Sequence, residues 1–430
     1  MNAQAEELNQ IIQLKNPVIY QLLSEKGKAI FFPAHGILGQ TADAKGTTIN
    51  ATIGAAFEDD GSPMHLESIS RHIDLPPEQL FPYAPSFGRM DIRKQWQQMI
   101  KQKNPSLQNK SISLPVVTNA LTHAVSMAGY LFVDPGDSII IPDLFWGNYN
   151  LILNHGYGGT LQKFAFFDGH QFNLKALEES LQKNGTGKKI LILNFPNNPT
   201  GYTPTQKEAE GICQVVKKSA EAGNKIVVLS DDAYFGLNYE PEIAGESIFA
   251  RLCDLHDNIL AVKIDGPTKE DYVWGFRVGF LSFGNKKGDQ ELYRALESKA
   301  AGAIRGNISN ACNVSQSLLL TAFNDPSYPA EKKEKFAIMN SRYQTIKEEL
   351  KSPQYAGYFT PLPFNSGYFM CIRLREEIDG EKLRQLLIKK YHIGVINLNN
   401  LIRIAYSAVA AKDVKALFEG ICQACKELCQ

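Results

Sequence analysis

Six short apolar segments recur through the middle of the chain and constrain its fold more than any other feature. They are rich in Ile, Val, Leu and Phe and do not alternate with polar residues, which indicates strands buried on both faces of a sheet. Helical stretches such as "TPTQKEAEGICQVVKKSAEAG" separate them. Repeated β–α units of this kind predict a doubly wound α/β domain with a mostly parallel sheet. The six segments are residues 137–143, 161–167, 188–195, 224–232, 258–265 and 278–284.

The pattern changes after about Asp325. "YPAEKKEKFAIMNSRYQTIKEELK" predicts a long charged helix, and "GYFMCIRL" (367–374) predicts one strand among shorter helices. This mixture is typical of a smaller α+β domain, to which we expect the N-terminal segment to contribute. The expected organisation is an N-terminal arm and part of the small domain over 1–62, a large domain over 63–335 and a small C-terminal domain over 336–430.

Charge and composition exclude several kinds of partner. The 45 Lys and Arg residues balance 45 Asp and Glu residues, so the net charge is zero and a nucleic-acid partner is not expected. The apolar segments are too short to span a bilayer, and the polar start "MNAQAEELNQIIQLKN" has no apolar signal core. We therefore expect no membrane association and a cytoplasmic location.

The seven cysteines are odd in number and scattered, which argues against a disulfide framework. Cys422, Cys425 and Cys429 share one face of a predicted helix, with no histidine nearby to complete a metal site. Their spacing favours packing, and no metal site is predicted.

Polar side chains cluster where three of the predicted strands end. "NFPNNPTG" carries Asn198, "SDDAYFG" carries Asp231, Asp232 and Tyr234, and "DGPTKE" carries Lys269. Each alone has a structural explanation, as a turn, an exposed acid or a solvated lysine. The carboxyl ends of parallel strands meet at one edge of the sheet, however, and that edge is where such sheets bind ligands.

The same edge is predicted to bind an anion. "VVTNALTHAVSMAGYLF" (116–132) predicts a strand, a turn and a helix start, where small residues and Thr122 would present backbone N–H groups to a phosphate. Arg277 follows Lys269 by eight residues and adds a cation. A lysine amine, an acid, a phenol, an amide, an arginine and an anion cradle are together what pyridoxal phosphate requires.

These segments resemble those of the class I aminotransferases, which are fold-type I pyridoxal-phosphate enzymes, and specifically their aspartate and aromatic branch. The motifs are "NNPTG", "DDAYFG", Lys269 with Arg277, "FWGNY", "PYAPSFG", "IGAAFEDDGSPMHL" and "LIRIAY". The resemblance runs from about residue 50 to the C-terminus. It implies a large domain with a mostly parallel doubly wound sheet, a smaller α+β domain, pyridoxal phosphate as cofactor, and ping-pong transfer between an L-amino acid and a 2-oxo acid.

The resemblance also implies roles for individual residues. Catalysis is assigned to Lys269, Asp231 and Tyr234, with Asp231 preferred over Asp232 at the ring nitrogen because of its spacing to Tyr234. The residues assigned to the cofactor are Ala120, Leu121, Thr122, Trp146, Asn198, Asp231, Tyr234, Thr268, Lys269, Arg277 and Tyr83, the last reaching the phosphate of the partner subunit. The residues assigned to the substrate are Gly54, Arg305 and Arg403.

Two segments depart from the family pattern. Gly266, Pro267 and Thr268 precede the lysine where the family often has serines, and Ala120 stands where a serine is common. We expect these changes either to weaken phosphate binding or to transfer it to Thr122 and Thr268.

The substrate class is indicated by "AIRGNISNACN" (303–313). It resembles the segment in which dicarboxylate-using members carry an arginine for the distal carboxylate, and Arg305 falls at that position. This favours aspartate or glutamate, bound between the subunits of a homodimer with shared active sites. Aromatic substrates remain open, and a surface arginine in a loop is the structural alternative.

Two other functions are compatible with the motifs. One is a different pyridoxal-phosphate reaction on the same fold, catalysed by a lyase or a decarboxylase. The other is a non-enzymatic sensor or oligomerisation module. The second is disfavoured, because Lys269, Asp231 and Arg403 are all present and such a module would be free to lose them.

Overall fold

The computed structural model describes residues 2–33 and 36–430. Strands and helices alternate over most of that length. The strands are β1 Ile49–Asn50, β2 Val116–Thr118, β3 Ser138–Pro142, β4 Thr160–Phe164, β5 Phe167–Asp168, β6 Gln171–Phe172, β7 Lys188–Asn194, β8 Lys225–Asp231, β9 Ile259–Asp265, β10 Gly279–Gly284, β11 Phe359–Pro361, β12 Phe369–Leu374, β13 Ile393–Gly394, β14 Ile396–Leu398 and β15 Leu401–Ala405. The helices are α1 Ala3–Lys15, α2 Pro17–Leu22, α3 Glu25–Ala29, α4 Ile37–Asp43, α5 Glu67–Ser70, α6 Pro77–Leu80, α7 Met90–Lys103, α8 Ala120–Phe132, α9 Leu174–Gln182, α10 Gln206–Glu221, α11 Ile248–Leu252, α12 Gln290–Ile308, α13 Asn313–Phe323, α14 Tyr328–Glu349, α15 Gly380–Leu386 and α16 Val414–Leu428.

The larger sheet has seven strands in the order β2-β10-β9-β8-β7-β3-β4. The pairs β9–β8, β8–β7, β7–β3 and β3–β4 are parallel, whereas β10 runs antiparallel to both of its neighbours. All six predicted strand segments contribute to this sheet, and the mostly parallel α/β architecture is confirmed.

Both faces of this sheet are buried, which explains why its strands do not alternate between apolar and polar residues. In β7, Ile190 and Ile192 pack in one hydrophobic cluster, while the intervening Leu191 and Leu193 pack in another. Successive side chains of a strand point to opposite faces, so a strand with an apolar layer on each side must be apolar throughout.

Helix α10 shows how the covering layer is built. Thr205 accepts a hydrogen bond from the backbone N–H of Glu208, and the Glu208 carboxylate accepts one from the N–H of Thr205, which closes a capping box. The buried apolar residues of the helix then recur along one face: Ala209, Ile212, Cys213, Val216 and Ala220. The apolar stripe faces the sheet, as the helical periodicity requires.

A second, four-stranded antiparallel sheet has the order β11-β12-β15-β14. Sequence analysis predicted only β12 by its apolar run; β11 and β14 have three residues each and are too short to give a pattern. The N-terminal segment joins this part of the molecule, since β1 pairs in parallel with β13. The long helix is present as α14, and residue 335, the expected domain boundary, lies inside it.

The C-terminal cysteines lie on α16 and at its end. Cys422 and Cys425 are buried in the core and Cys429 is exposed, so two of the three pack as their spacing predicted. Across residues 2–33 and 36–430, no group of three His, Cys, Asp or Glu side chains is arranged to hold a metal ion. In the same ranges, no helix has both the length and the apolar character needed to cross a membrane.

Candidate active site

An open pocket of about 550 Å³ lies where β7, β8 and β9 end and α8 begins. The structure brings together here every residue that the sequence assigned to the cofactor from the same subunit. Asn194, the last residue of β7, and Ala233 were not predicted. The lining consists of Ala120, Leu121, Thr122, Trp146, Asn194, Asn198, Asp231, Ala233, Tyr234, Thr268, Lys269 and Arg277.

Lys269 lies in the turn that follows β9, with its amine inside the pocket. The Nζ atom donates a hydrogen bond to the carbonyl oxygen of Gly54 at 3.1 Å and lies 5.4 Å from the centre of the Tyr234 ring. The hydroxyl of Tyr368 donates to the backbone carbonyl of Lys269 at 2.6 Å. The lysine is therefore held by its backbone, and its amine is left with one weak acceptor.

The surroundings of Lys269 favour the neutral amine. Burial lowers its pKa most, and the positive charges of Arg277 and Arg403 lower it further, while Asp231 acts in the opposite direction. The result is a pKa of about 8 instead of the usual value above 10. This is the electrostatic setting in which a lysine acts as a nucleophile or a base near neutral pH.

Asp231 ends β8 and is only 3% exposed. Its carboxylate accepts hydrogen bonds from the hydroxyl of Tyr149 at 2.5 Å and from the backbone N–H of Ala233 at 3.1 Å. Burial raises the pKa of Asp231 to about 6, although both hydrogen bonds act against that rise. At neutral pH Asp231 is therefore a buried, mostly ionised carboxylate, which is suited to pair with a cation.

Tyr149 was missed by sequence analysis, although it closes the quoted motif "FWGNY" three residues after Trp146. The two aromatic rings contact each other edge to face at 5.5 Å. A tyrosine one helical turn after the pocket tryptophan is the signal that could have identified it.

Asp232, the neighbour of Asp231, does not line the pocket. It forms a buried ion pair with Lys263 and accepts a hydrogen bond from the hydroxyl of Ser247 at 2.6 Å. Lys263 also lies 3.3 Å from Asp265. Successive residues at a strand end point to opposite sides of the sheet. Asp231 therefore lines the pocket, whereas Asp232 pairs with Lys263.

Arg403 lies in the middle of β15 and is 3% exposed. One terminal nitrogen donates to the carbonyl oxygen of Thr52 at 3.0 Å and the other to Oδ1 of Asn198 at 3.4 Å, and the guanidinium lies 4.4 Å from the centre of the Phe369 ring. Its buried Nε atom has no acceptor among the described residues, and the groups that favour its positive charge are Tyr234 and Cys371 rather than a carboxylate. An unpaired buried guanidinium is suited to an incoming carboxylate.

The start of α8 forms the anion-binding end of the pocket. Ala120 adopts the left-handed backbone conformation, with φ +63°. The helix approaches β10 so closely that a Cβ atom on Gly279 would lie 2.6 Å from the carbonyl carbon of Ala120. Only glycine fits there. The cap residue Asn119 accepts no side-chain hydrogen bond from the first helical turn, and the residues of that turn line the pocket.

Two side chains complete this end of the pocket. The hydroxyl of Thr268 is buried without a hydrogen-bond partner in the described chain. Arg277, also in a left-handed conformation at φ +55°, donates to the carbonyl oxygen of Trp274 at 3.0 Å. An orphaned hydroxyl, a guanidinium and a helix N-terminus converge, which is the donor set that a phosphate requires.

Four predicted residues lie outside the pocket lining. Gly54 and Arg403 form hydrogen bonds with lining residues, whereas Tyr83 and Arg305 are placed elsewhere. Tyr83 is 93% exposed, and Arg305, near the end of α12, is also exposed and donates to the hydroxyl of Ser309 at 2.7 Å. Within one subunit neither Tyr83 nor Arg305 lines the pocket, and their action across a subunit boundary stays a prediction.

A family model for aminotransferases of class I and II matches residues 63–421. The chain belongs to this family. It is 26% identical over 321 residues to a probable N-acetyl-LL-diaminopimelate aminotransferase of Bacillus subtilis, a match that covers 73% of this chain and 74% of that protein. It is 24% identical over 312 residues to an aspartate aminotransferase of the same organism, covering 72% of this chain and 70% of that protein.

Solved aminotransferase structures share the fold. A crystal structure of an aminotransferase from Anaerococcus prevotii matches with a TM-score of 0.82 and 23% identity, covering 94% of this chain and 98% of that one. The aspartate aminotransferase of Thermus thermophilus with maleate matches with a TM-score of 0.72 and 16% identity, covering 94% and 99%. The predicted fold-type I architecture and the assignment as an aminotransferase are both confirmed.

Proposed function

We propose that this aminotransferase binds pyridoxal phosphate in the pocket and exchanges an amino group between an L-amino acid, with aspartate or glutamate preferred, and a 2-oxo acid in a ping-pong cycle. The observation that carries the proposal is the buried Lys269 amine with a pKa of about 8, placed in one pocket with a buried carboxylate and an anion-binding helix start. When bound, pyridoxal phosphate supplies an aldehyde that captures amines and a pyridinium ring that delocalises electrons.

The pocket residues fit the cofactor from end to end. The helix start at Ala120, the free hydroxyl of Thr268 and Arg277 are suited to the phosphate. Asp231 at the opposite side is suited to the protonated ring nitrogen, and Trp146 to stacking on the ring face. The serines that the family often carries are replaced here by Thr268 and by backbone N–H groups.

Lys269 performs the proton transfer in this proposal. With a pKa of about 8, about a quarter of its amines are neutral at pH 7.5, whereas about 0.1% would be neutral at an ordinary lysine pKa. Nζ can therefore accept the proton that leaves the substrate's Cα atom and then donate that proton to the cofactor. Its single weak contact with the carbonyl oxygen of Gly54 leaves it free to do so.

Arg403 orients the substrate in this proposal. Its guanidinium is already desolvated and fixed by Thr52, Asn198 and the Phe369 ring, so little rotamer entropy is lost when it binds the α-carboxylate. The same carboxylate grip fixes which bond of the Cα atom stands perpendicular to the ring. Gly54 keeps the space open, because a Cβ atom there would lie 3.2 Å from the Phe369 ring.

The choice of a dicarboxylate and the homodimer rest on Arg305 and Tyr83. Both are exposed in the single subunit, and by the family resemblance each would reach the active site of the partner. Several relatives that match this chain, including those of Bacillus subtilis and Bacillus sp., are named aspartate aminotransferases. The seven cysteines are all free, which suits a reducing compartment such as the cytoplasm.

A panel of amino donors with 2-oxoglutarate tests the proposal. Aspartate is expected to give oxaloacetate and glutamate in equal amounts, with phenylalanine and alanine as matched donors that lack a distal carboxylate. Release of carbon dioxide or ammonia without consumption of the 2-oxo acid would show a decarboxylase or a lyase instead, and would overturn the proposal.

A further inference from the structure

A second group of buried charges follows Lys269 directly in sequence. The next two residues, Glu270 and Asp271, do not line the pocket and contact helices α7 and α14 instead. The Glu270 carboxylate forms ion pairs with Lys103 of α7 and, at 3.0 Å, with Lys332 of α14. The turn that carries the reactive amine is thus tied to two helices by its own side chains.

Lys332 is the residue that bridges both carboxylates. Its Nζ lies 2.8 Å from Asp271, whose side chain is fully buried, as well as 3.0 Å from Glu270. The hydroxyl of Tyr328, one turn earlier on α14, donates to Asp271 at 2.6 Å. Two carboxylates and two lysines make this cluster neutral as a whole, which is the condition for such charges to remain buried.

Glu270 and Lys332 are both charged at neutral pH. Burial alone would raise the pKa of Glu270, but Lys103 and Lys332 outweigh it and hold the pKa at about 2. Burial lowers the pKa of Lys332, and Asp271 and Glu270 more than reverse that effect. Because neither Glu270 nor Lys332 gains or loses a proton near neutral pH, the ion pair that links the turn to α14 does not change with pH in that range.

The backbone of the turn is fixed from the other side as well. The carbonyl oxygen of Lys269 accepts from Tyr368, at the start of the smaller sheet, and the N–H of Asp271 donates to the carbonyl oxygen of Pro267 at 2.9 Å. Tyr272, next in the turn, has a left-handed backbone at φ +57°. A strained turn persists only where its surroundings hold it, and the buried ion pairs to α14 are contacts of this kind.

We propose that Lys332 is a positioning residue for Lys269, and that through Glu270 and Asp271 it fixes the turn from which the reactive amine projects. The proposal rests on the proposed function of Lys269. No sequence pattern indicates this role for Lys332, because it lies more than sixty residues from the turn, on a helix whose many charged residues are typical of a solvated surface.

A variant series separates positioning from charge. Lys332→Met removes the bridge and leaves one uncompensated carboxylate, whereas Asp271→Asn with Lys332→Met removes the bridge but restores charge neutrality. The neighbouring exposed Lys333→Met is the matched control. If Lys332→Met alone does not fold, the neutral double variant still tests the proposal, because it retains the Glu270–Lys103 pair.

The first readout needs neither cofactor nor turnover. Trace acetylation of the cofactor-free protein from pH 6 to 11, followed by peptide mass spectrometry, reports the apparent pKa of the Lys269 amine. The charged groups that face this amine are Asp231, Arg277 and Arg403, and all three are unchanged in the series. We expect Lys332→Met to raise the apparent pKa by about half a unit or more, and the double variant to restore it.

The second readout is turnover with aspartate and 2-oxoglutarate. We expect kcat to fall about tenfold in both Lys332→Met and the double variant, each at its own pH optimum, with KM for aspartate changed less than about twofold. Recovery of kcat in the double variant would show that charge alone matters and would overturn the proposal, as would values equal to those of Lys333→Met. Absence of turnover in the wild type would refute the proposed function. The limiting acetylation rate of Lys269 at high pH, where the amine is neutral in every variant, would still test its position, and equal rates in the wild type and the double variant would overturn the proposal.

Discussion

Replacing Tyr149 with phenylalanine should move the protonation of Asp231 into the physiological pH range. The two side chains are almost fully buried, and the tyrosine hydroxyl donates to the carboxylate at 2.5 Å. A hydrogen bond to a charged group contributes about 1.5–3 kcal/mol, which at 1.36 kcal/mol per unit is about one to two pKa units. Burial already places the pKa of Asp231 at about 6, so in Tyr149→Phe the carboxyl should titrate between about 7 and 8.

The assay is the affinity of the cofactor-free protein for pyridoxal phosphate as a function of pH, read by fluorescence quenching. Only ionised Asp231 pairs with the ring nitrogen, so affinity should fall as pH drops through its pKa, and the fall should begin one to two units higher in the variant. At about pH 9 both carboxyls are ionised and the two affinities should agree within about threefold.

Tyr157→Phe is the matched control. This substitution also removes one phenolic hydrogen bond, but the partner is Ser126 instead of Asp231. Identical acid limbs in Tyr149→Phe and wild type would refute the reasoning. They would show that the buried hydrogen bond does not set the charge of Asp231, or that this charge does not govern cofactor binding.

Three further outcomes follow from the same geometry. The pKa of Asp231 is about 6 in the folded protein and near 4 in the unfolded chain, so the free energy of unfolding falls by about 3 kcal/mol as pH rises through that window. Asp231→Asn should therefore raise the melting temperature of the cofactor-free protein at pH 7.5 but not at pH 4, and it should abolish most turnover. Arg305→Leu should lower kcat/KM for aspartate about thirtyfold or more and that for an aromatic donor much less, because loss of a desolvated charge partner costs about 2–5 kcal/mol; equal losses would show that Arg305 is structural. Mixing Tyr83→Phe with Lys269→Ala protomers should regenerate some wild-type sites, whereas a monomer in sedimentation at micromolar concentration would contradict the shared active site.

Sequence alone was sufficient for the features that repeat or that sit at defined places in the chain. A strand buried on both faces must be apolar throughout, so β7, β8 and β9 were visible as runs. Residues at the ends of parallel strands share an edge, so the sequence alone predicts that Asn198, Asp231 and Lys269 lie together, and all three line the pocket.

Features that depend on the distance between segments could not be predicted in this way. Tyr149 reaches Asp231 across 82 residues, and Lys332 reaches Asp271 across 61, with no periodicity that links them. The family resemblance already favoured Asp231 over Asp232, but the pairing of Asp232 with the buried Lys263 on the neighbouring strand could not be predicted. Buried charges are paired in space, and their partners leave no local signal in the sequence.

The central claim is that the amine of Lys269 is the group that carries the cofactor and moves the proton. The most direct test is borohydride reduction of the protein loaded with pyridoxal phosphate, followed by peptide mass spectrometry. The account predicts one pyridoxyl group per subunit, on the peptide that contains Lys269, with a yellow colour that is lost on reduction. A protein that stays colourless with added cofactor, or a label on another lysine, would contradict it.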